Sequence, residues 1–303
     1  MNKMSFNLKI VGICCAFAAL PCAPSAGQDT SLSEYLIEGE EWRVAVEGFA
    51  FADGLCTDAE GNLFFSDVKE GKGIYRLDAR SGKVDLHIDD LPGISGLALG
   101  IDGTIYACQS RSQRVISIPP GGGEVKVLAE NVRCNDLVVT RGGAVYFTET
   151  PTQRIHLVTA AGEHRVVHEG GINRPNGIAL SPDEQTLAAS DSGGEHVWAW
   201  RVLADGSLEA VAPFMMMELA LGKETSQGDG MTTEGKGRFF VTTELGIQIF
   251  DPAGRLAGII DKPERDGKIV SVEFAGPDRC VLHVASGGRI YSRKVKTPGG
   301  WRF

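Results

Sequence analysis

Six residues with oxygen-bearing side chains, Asp53, Ser95, Asn135, Asn176, Asp229 and Ser271, each stand at the head of a short apolar run. They follow one another at intervals of 42, 40, 41, 53 and 42 residues. Carboxylate, amide and hydroxyl oxygens are the donors that hard cations take. If the fold brings equivalent positions of each unit to one point, six such oxygens converge there. An isolated Asp or Asn before Gly is an ordinary turn former. The shared phase in six units is what turns these residues into a candidate site.

The elements that must position them repeat with the same period. A repeat of about forty residues is the signature of one blade of a β-propeller, in which equivalent positions lie at equal distances from a central axis. After each marker an inner strand runs to a Gly-containing turn, as at Asp58–Asn62 or Ile101–Gly103. Second strands are expected at 63–68, 104–108, 144–148, 186–190, 238–242 and 280–285, and third strands at 73–77, 114–118, 154–158, 196–202, 246–250 and 289–295. Fourth, more polar strands are expected at 83–88 and 125–128. Short runs rich in Val, Ile, Phe and Tyr between Gly and Asp turns are strands rather than helices. The sixth unit lacks a fourth strand, and Trp42–Val46 is a strand with no earlier partner. Pairing the two would close the ring and hide both open edges. The expected architecture is therefore an all-β, six-bladed β-propeller with four-stranded blades, closed by an N-terminal strand that completes the last blade. Residues 41–303 form that domain, 28–40 a linker. The fourth unit carries an insertion, Phe214–Ser226, expected near the mouth of the site, with Met215–Met217 read as packing.

Composition limits the rest. The chain has 303 residues, 43% hydrophobic and only 7% aromatic, with 39 glycines, as a turn-rich β protein built on small branched side chains requires. Residues 1–27 have a basic start (Lys3, Lys9), an apolar run Ile10–Leu20 and a small-residue end, the pattern of a removable signal peptide, with cleavage near Ala26 or Gly27. Cys22 after the run permits a lipoprotein reading, which the absence of Leu three residues before it disfavours. The protein is thus expected to be exported, to the periplasm or medium. The run is short for a transmembrane span. Loss of those residues removes two lysines and no acid, taking the formal charge from −9 to −11, which disfavours a nucleic-acid partner. Cys56, Cys108, Cys134 and Cys280 remain. Four cysteines allow three disulfide pairings, and none has zinc-ligand spacing, so buried free thiols are the simpler reading.

Phe51-Ala52-Asp53-Gly54 running to Gly61–Asp67, Asn135-Asp136, Arg174–Asp183 and Gly228-Asp229-Gly230-Met231 resemble the senescence marker protein/gluconolactonase/luciferin-regenerating family. The resemblance spans about 42–295. It implies one divalent cation on the axis, held at Asp53, Asn135, Asn176 and Asp229. The first is a departure, since the family usually has Glu-Gly-Pro where this chain has Asp53-Gly54-Leu55. Aspartate is one methylene shorter, so it reaches the ion through a water or lets it shift. Arg133 matches a substrate-contacting arginine of some members.

Two carboxylates and two amides suit calcium. Mg2+, Mn2+ and Zn2+ are other possibilities, zinc the poorest fit because no imidazole or thiolate stands at a marker. Such a cation polarises a carbonyl and acidifies water. The implied activity is hydrolysis of a sugar lactone or related cyclic ester, a small-molecule substrate, with Asp229 accepting the water's proton and Arg133 holding a hydroxyl or the developing oxyanion. A phosphotriesterase or arylesterase using the same site is the enzymic alternative, and a non-catalytic propeller binding a glycan or protein the other. Ser95 and Ser271 are expected to line the channel. Asp67, Gln109, Glu149 and Asp191, at the ends of second strands, either back the site or cap turns. The six histidines share no phase, no Gly-x-Ser-x-Gly elbow occurs, and Gly121–Gly123 lies in a strand–strand turn rather than a phosphate loop.

Overall fold

The computed structural model describes residues 32–300, so the proposed signal peptide lies outside the described residues. After a 3-10 turn at Leu32–Glu34 come β1 (Arg43–Val46) and six units in chain order. Blade one is β2 (Ala52–Thr57), β3 (Leu63–Asp67), β4 (Ile74–Leu77) and β5 (Val84–Ile88). Blade two is β6 (Ile94–Leu99), β7 (Ile105–Gln109), β8 (Arg114–Ile118) and β9 (Lys126–Glu130). Blade three is β10 (Cys134–Val139), β11 (Val145–Glu149), β12 (Arg154–Val158) and β13 (His164–Glu169). Blade four is β14 (Pro175–Leu180), β15 (Thr186–Asp191), β16 (His196–Val202) and β17 (Leu208–Met216). Blade five is β18 (Met231–Thr233), β19 (Phe239–Thr242), β20 (Gly246–Phe250) and β21 (Leu256–Asp261). Blade six is β22 (Ile269–Ala275), β23 (Val281–Ser286) and β24 (Arg289–Lys294), with β1 paired antiparallel to β24. These are six four-stranded antiparallel sheets forming a six-bladed propeller closed as expected. Among the described residues no helix is long and apolar enough to cross a membrane.

The core is divided into six wedges, one at each blade boundary. Cys108 and Val115 of blade two meet Leu137 and Phe147 of blade three, and Met215 and Met217 of blade four meet Val241 and Phe250 of blade five. At the boundary of blades five and six, buried Tyr35 packs edge-on against Phe240, and Lys296 N–H bonds to its carbonyl, so the segment before β1 is anchored to the ring. Burying apolar faces between neighbouring sheets holds the six sheets in a closed circle and fixes the phase of every inner strand.

The insertion in blade four begins later than the sequence suggests. Phe214–Met216 continue β17, a nine-residue strand, and Met215 and Met217 are buried while Met216 is exposed. Alternation of side chains along an extended strand accounts for that pattern. Phe214 accordingly lines an outer groove with Pro182, Trp200 and Pro252 rather than the mouth of the site. Cys56, Cys108 and Cys134 are buried and Cys280 half-buried, all four as free thiols.

Candidate functional site

Five of the six markers sit at or beside a register break of their inner strand, and the sixth, Asp229, stands two residues before β18. The pairings Asp53–Ser66 then Cys56–Phe64, Cys134–Glu149 then Leu137–Phe147, and Pro175–Asp191 then Ile178–Ala189 each leave one extra residue on the inner strand. Similar breaks fall between Ile94 and Gly96 and between Ile269 and Ser271. A bulge bends the strand and re-aims a side chain that the pleat would otherwise send into a blade boundary. The next position is usually glycine, and the reason is steric. A Cβ on Gly177 would stand 2.2 Å from the carbonyl oxygen of Asp229, and one on Gly96 would stand 2.8 Å from the Cα of Asp136. Glycine lets the marker segments of adjacent blades touch near the axis.

The segments leading into the markers are held from behind. Asp67 accepts Ala50 and Phe51 N–H at 2.9 and 3.0 Å, Glu149 accepts Arg133 N–H at 2.8 Å, and Asp191 accepts Asn173 and Arg174 N–H at 2.9 Å each. In blade two the first of the two corresponding residues is Pro92, which has no N–H. Gln109 stands in place of the acid and donates to the Pro92 carbonyl. The recurring residues at the ends of second strands are therefore turn anchors that orient the markers.

Of the four residues proposed as ligands, Asp229 is linked to two others, to Asn176 by a hydrogen bond and to Asp53 by its charge. Burial, then the charge of Asp229, holds the Asp53 carboxyl well above the ordinary range. Burial likewise raises Asp229, against the charge and hydrogen bond of Lys268, a hydrogen bond to the Asn176 side chain and the charge of Arg174. Lys268 Nζ lies 2.9 Å from Asp229 Oδ2. Asn135 joins the ring through its backbone, its carbonyl accepting Ser95 Oγ at 2.7 Å, with its side chain half-buried. Arg133 is exposed two residues before it. Ser271 lines the cavity on the axis, and the hydroxyls of both marker serines are engaged: Ser95 Oγ with the Asn135 carbonyl, and Ser271 Oγ with Leu55 N–H of blade one, which it accepts at 3.1 Å.

Three residues of the site escaped the sequence reading. Asp136 stands where four of the six markers, at 53, 95, 176 and 229, are followed by glycine, and a carboxylate at that position was the available signal. Its carboxyl accepts Leu137 N–H at 2.8 Å and bonds the Ile178 amide of the next blade, and burial, then the charges of Asp229 and Glu273, push it up to about 7. It lines a polar cavity of about 60 Å³ on the axis, together with Thr232, Ser271, Glu273 and Arg279. Arg174 precedes Asn176 by the same two residues that separate Arg133 from Asn135, an offset legible in hindsight. Lys268 had no signal. It also lines a surface hollow of about 710 Å³ with Phe49, Phe51, Glu264 and Arg289, so the hollow and Asp229 share a wall.

The donor set fits a hard divalent cation. Two carboxylates and two amides supply oxygen only, and the half-buried carboxylates repel one another, a cost that a cation would remove. Among the described residues no three His, Cys, Asp or Glu side chains cluster as a metal centre by themselves, in keeping with a set that draws half its oxygens from asparagine.

An oxygen-lined axial site in a six-bladed propeller defines a class of protein, and the comparisons place the chain within it. Residues 47–288 match the SMP-30/gluconolactonase/LRE-like region, and the chain belongs to that family. It is similar to a gluconolactonase of Zymomonas mobilis, 28% identical over 232 residues that cover 69% of this chain. The chain spans 65% of the length of that relative. A pentonolactonase of Haloferax volcanii is 24% identical over 76% of this chain and 78% of its own. A solved structure of regucalcin from Agrobacterium tumefaciens, described as calcium-binding, superposes with a TM-score of 0.70 at 19% identity over 86% of this chain and 98% of that one.

Proposed function

We propose that this protein is a divalent-cation-dependent lactonase that opens a sugar lactone or related cyclic ester. What supports the reading is that Asp229 bonds the Asn176 side chain of the neighbouring blade and acts by its charge on Asp53 of a third, in a family whose curated relatives include two sugar lactonases. Asp53, Asn135, Asn176 and Asp229 would hold the cation, for which calcium suits the oxygen set best. When bound, such an ion polarises the lactone carbonyl and lowers the pKa of water. Water attacks the carbonyl carbon, and Asp229 takes the proton that the attack releases. The bond from that carbon to the ring oxygen breaks, and the proton passes to the ring oxygen to give the open hydroxy acid. Lys268 fixes the orientation of the Asp229 carboxylate during this transfer. Arg133, exposed at the mouth, contacts the substrate's oxygens.

Opening of a panel of aldonolactones, measured on metal-analysed protein with and without chelator, tests the reading. Stoichiometric calcium and loss of turnover on chelation, restored by adding calcium back, are expected. Turnover that ignores the chelator removes the cation from the mechanism. We further propose, from the basic start and apolar run of residues 1–27, that this segment is removed on export, which N-terminal sequencing of the mature protein checks.

A further inference from the structure

Three of the six histidines belong to blade three, and two of them face each other. His156 on β12 and His164 at the start of β13 share one face of adjacent antiparallel strands, since His156 pairs with Val166, two residues from His164. His156 Nδ1 stands 3.0 Å from His164 Nε2. On the other side of the ring, His156 Nε2 lies 3.2 Å from Glu149 Oε2, and both of these side chains are buried. Phe147 of β11 stacks on the His156 imidazole at 4.5 Å and 7°, which fixes the plane of that ring. His164 is exposed and opens the pair to solvent.

Blade three uses its anchoring acid differently from blades one and four. Asp67 and Asp191 each take two amides of the segment ahead of the marker. Glu149 takes one, Arg133 N–H, and turns its other oxygen to Thr152 and His156. A carboxylate only accepts, so neutral His156 carries its hydrogen on Nε2 and its lone pair on Nδ1, facing His164. Desolvation lowers the pKa of both rings, against the pull of Glu149, so at neutral pH protons do not compete for these nitrogens. An imidazole whose far nitrogen is held by a carboxylate is the arrangement in which histidine binds transition ions. Two imidazole nitrogens on one tetrahedral zinc stand about 3.3 Å apart at ordinary Zn–N lengths, close to the separation found here.

We infer that His156 and His164 form a metal site of their own, on the outer strands of blade three, for a borderline ion such as zinc or copper(II). Glu149 orients His156 and is not itself a ligand, in keeping with the absence of a three-residue cluster among the described residues. On binding, the hydrogen on His164 Nε2 is replaced by one on Nδ1 of the same ring. Both facing nitrogens then offer lone pairs, and no net proton is lost. Water fills the remaining positions on the exposed side. Imidazole nitrogen suits zinc, copper and nickel, whereas the oxygen set on the axis suits calcium or magnesium. The two sites therefore sort different ions, and this one does not depend on the lactonase reading.

The test titrates zinc by calorimetry into untagged protein held in excess calcium at neutral pH, so that calcium occupies the oxygen set. One zinc per chain is expected to bind. In His164→Ala, a surface substitution, the affinity should fall at least about tenfold, because one imidazole remains. Glu149→Gln still accepts Arg133 N–H and should weaken zinc about tenfold with both ligands in place, as the loss of an orienting partner does. Copper(II) supplies a second readout. Its electron spin resonance spectrum should carry splitting from two imidazole nitrogens, and from one in His164→Ala. Zinc at about a hundred times its Kd should raise the melting temperature by several degrees, and should not do so in that variant. Calcium-loaded protein that takes up no zinc, or takes it up equally well in His164→Ala, overturns the inference. So does a copper spectrum that the substitution leaves unchanged. Zinc affinity untouched by Glu149→Gln overturns the orienting role of the carboxylate.

Discussion

Blades two and six differ from the other four at the marker position, and the cause lies on the neighbouring strand. Ser66, Thr148 and Ser190 on the second strands of blades one, three and four each donate a hydroxyl to the next blade, to the carbonyls of Ile94, Asn176 and Asp229 at 2.7, 2.7 and 2.8 Å. Blades two and six have Cys108 and Ala285 at that position. There the marker serine supplies the missing link, Ser95 to the Asn135 carbonyl and Ser271 from the Leu55 amide. Blade five keeps Thr242, which bonds within its own blade, and Gly230 N–H reaches the Val270 carbonyl instead. A shared phase therefore assigns a place near the axis. Whether the oxygen there is free for chemistry depends on whether another hydroxyl already ties the blades together.

The comparison breaks most visibly at Asp229. Asp229→Asn keeps the volume and removes the charge. We expect kcat/KM for lactone opening to fall by about three orders of magnitude, within the range for a lost general base. The melting temperature should hold or rise, because the substitution removes one of three carboxylates, with Asp53 and Asp136, that repel one another in a half-buried site. Activity near the unsubstituted level would move Asp229 from the chemistry to the scaffold and place it with Ser95.

A second contrast sets the charges at the axis against a titratable group buried inside a blade. His283 on β23 is buried, bonded through Nδ1 to the Val281 carbonyl at 3.2 Å, and desolvation pushes its pKa down to about 4. The folded form refuses a proton that the unfolded chain takes up near pH 6.5. Its neutral state therefore supports the fold in full above about pH 6.5, and the support is lost as the pH falls toward 4, amounting to about 3 kcal/mol. Unfolding followed between pH 4 and 7 should show this slope, and His283→Gln should flatten it. An unchanged slope would assign the acid lability to other groups.

How much of this was legible in the sequence follows from the same physics. The six blades and the closing strand were legible because hydrophobic periodicity and Gly turns act locally, and the third strands at Arg114–Ile118 and Arg154–Val158 match the expectation residue for residue. The marker phase was legible for the same reason. The competition for each oxygen was not, since it is settled by residues such as Cys108 and Ala285 that look unremarkable in an apolar strand. Lys268 was hidden because its partner lies 39 residues away and its own neighbourhood carries no motif. Phe214 was misplaced because a long outer strand and an inserted loop both read as surplus residues.

The smallest effect tests the comparison most directly. If Ser95 serves as a substitute for the absent hydroxyl at Cys108, then Ser95→Ala leaves the Asn135 carbonyl without that donor. It should cost about 1 to 2 kcal/mol of stability, since a net hydrogen bond is lost and a part-buried acceptor is left unpaired. Lactone opening should stay within about threefold of the unsubstituted protein, because only the backbone of Asn135 loses a partner. Adding Cys108→Ser in that background places a hydroxyl where Thr148 and Ser190 carry theirs, one strand from the same carbonyl. The double variant should recover part of the loss, with a favourable coupling of roughly 0.5 to 1 kcal/mol that neither single substitution predicts. Additive losses would mean that the second-strand hydroxyls and the marker serines are independent. In that case the spare oxygens of blades two and six would need another explanation than the repair of a missing staple.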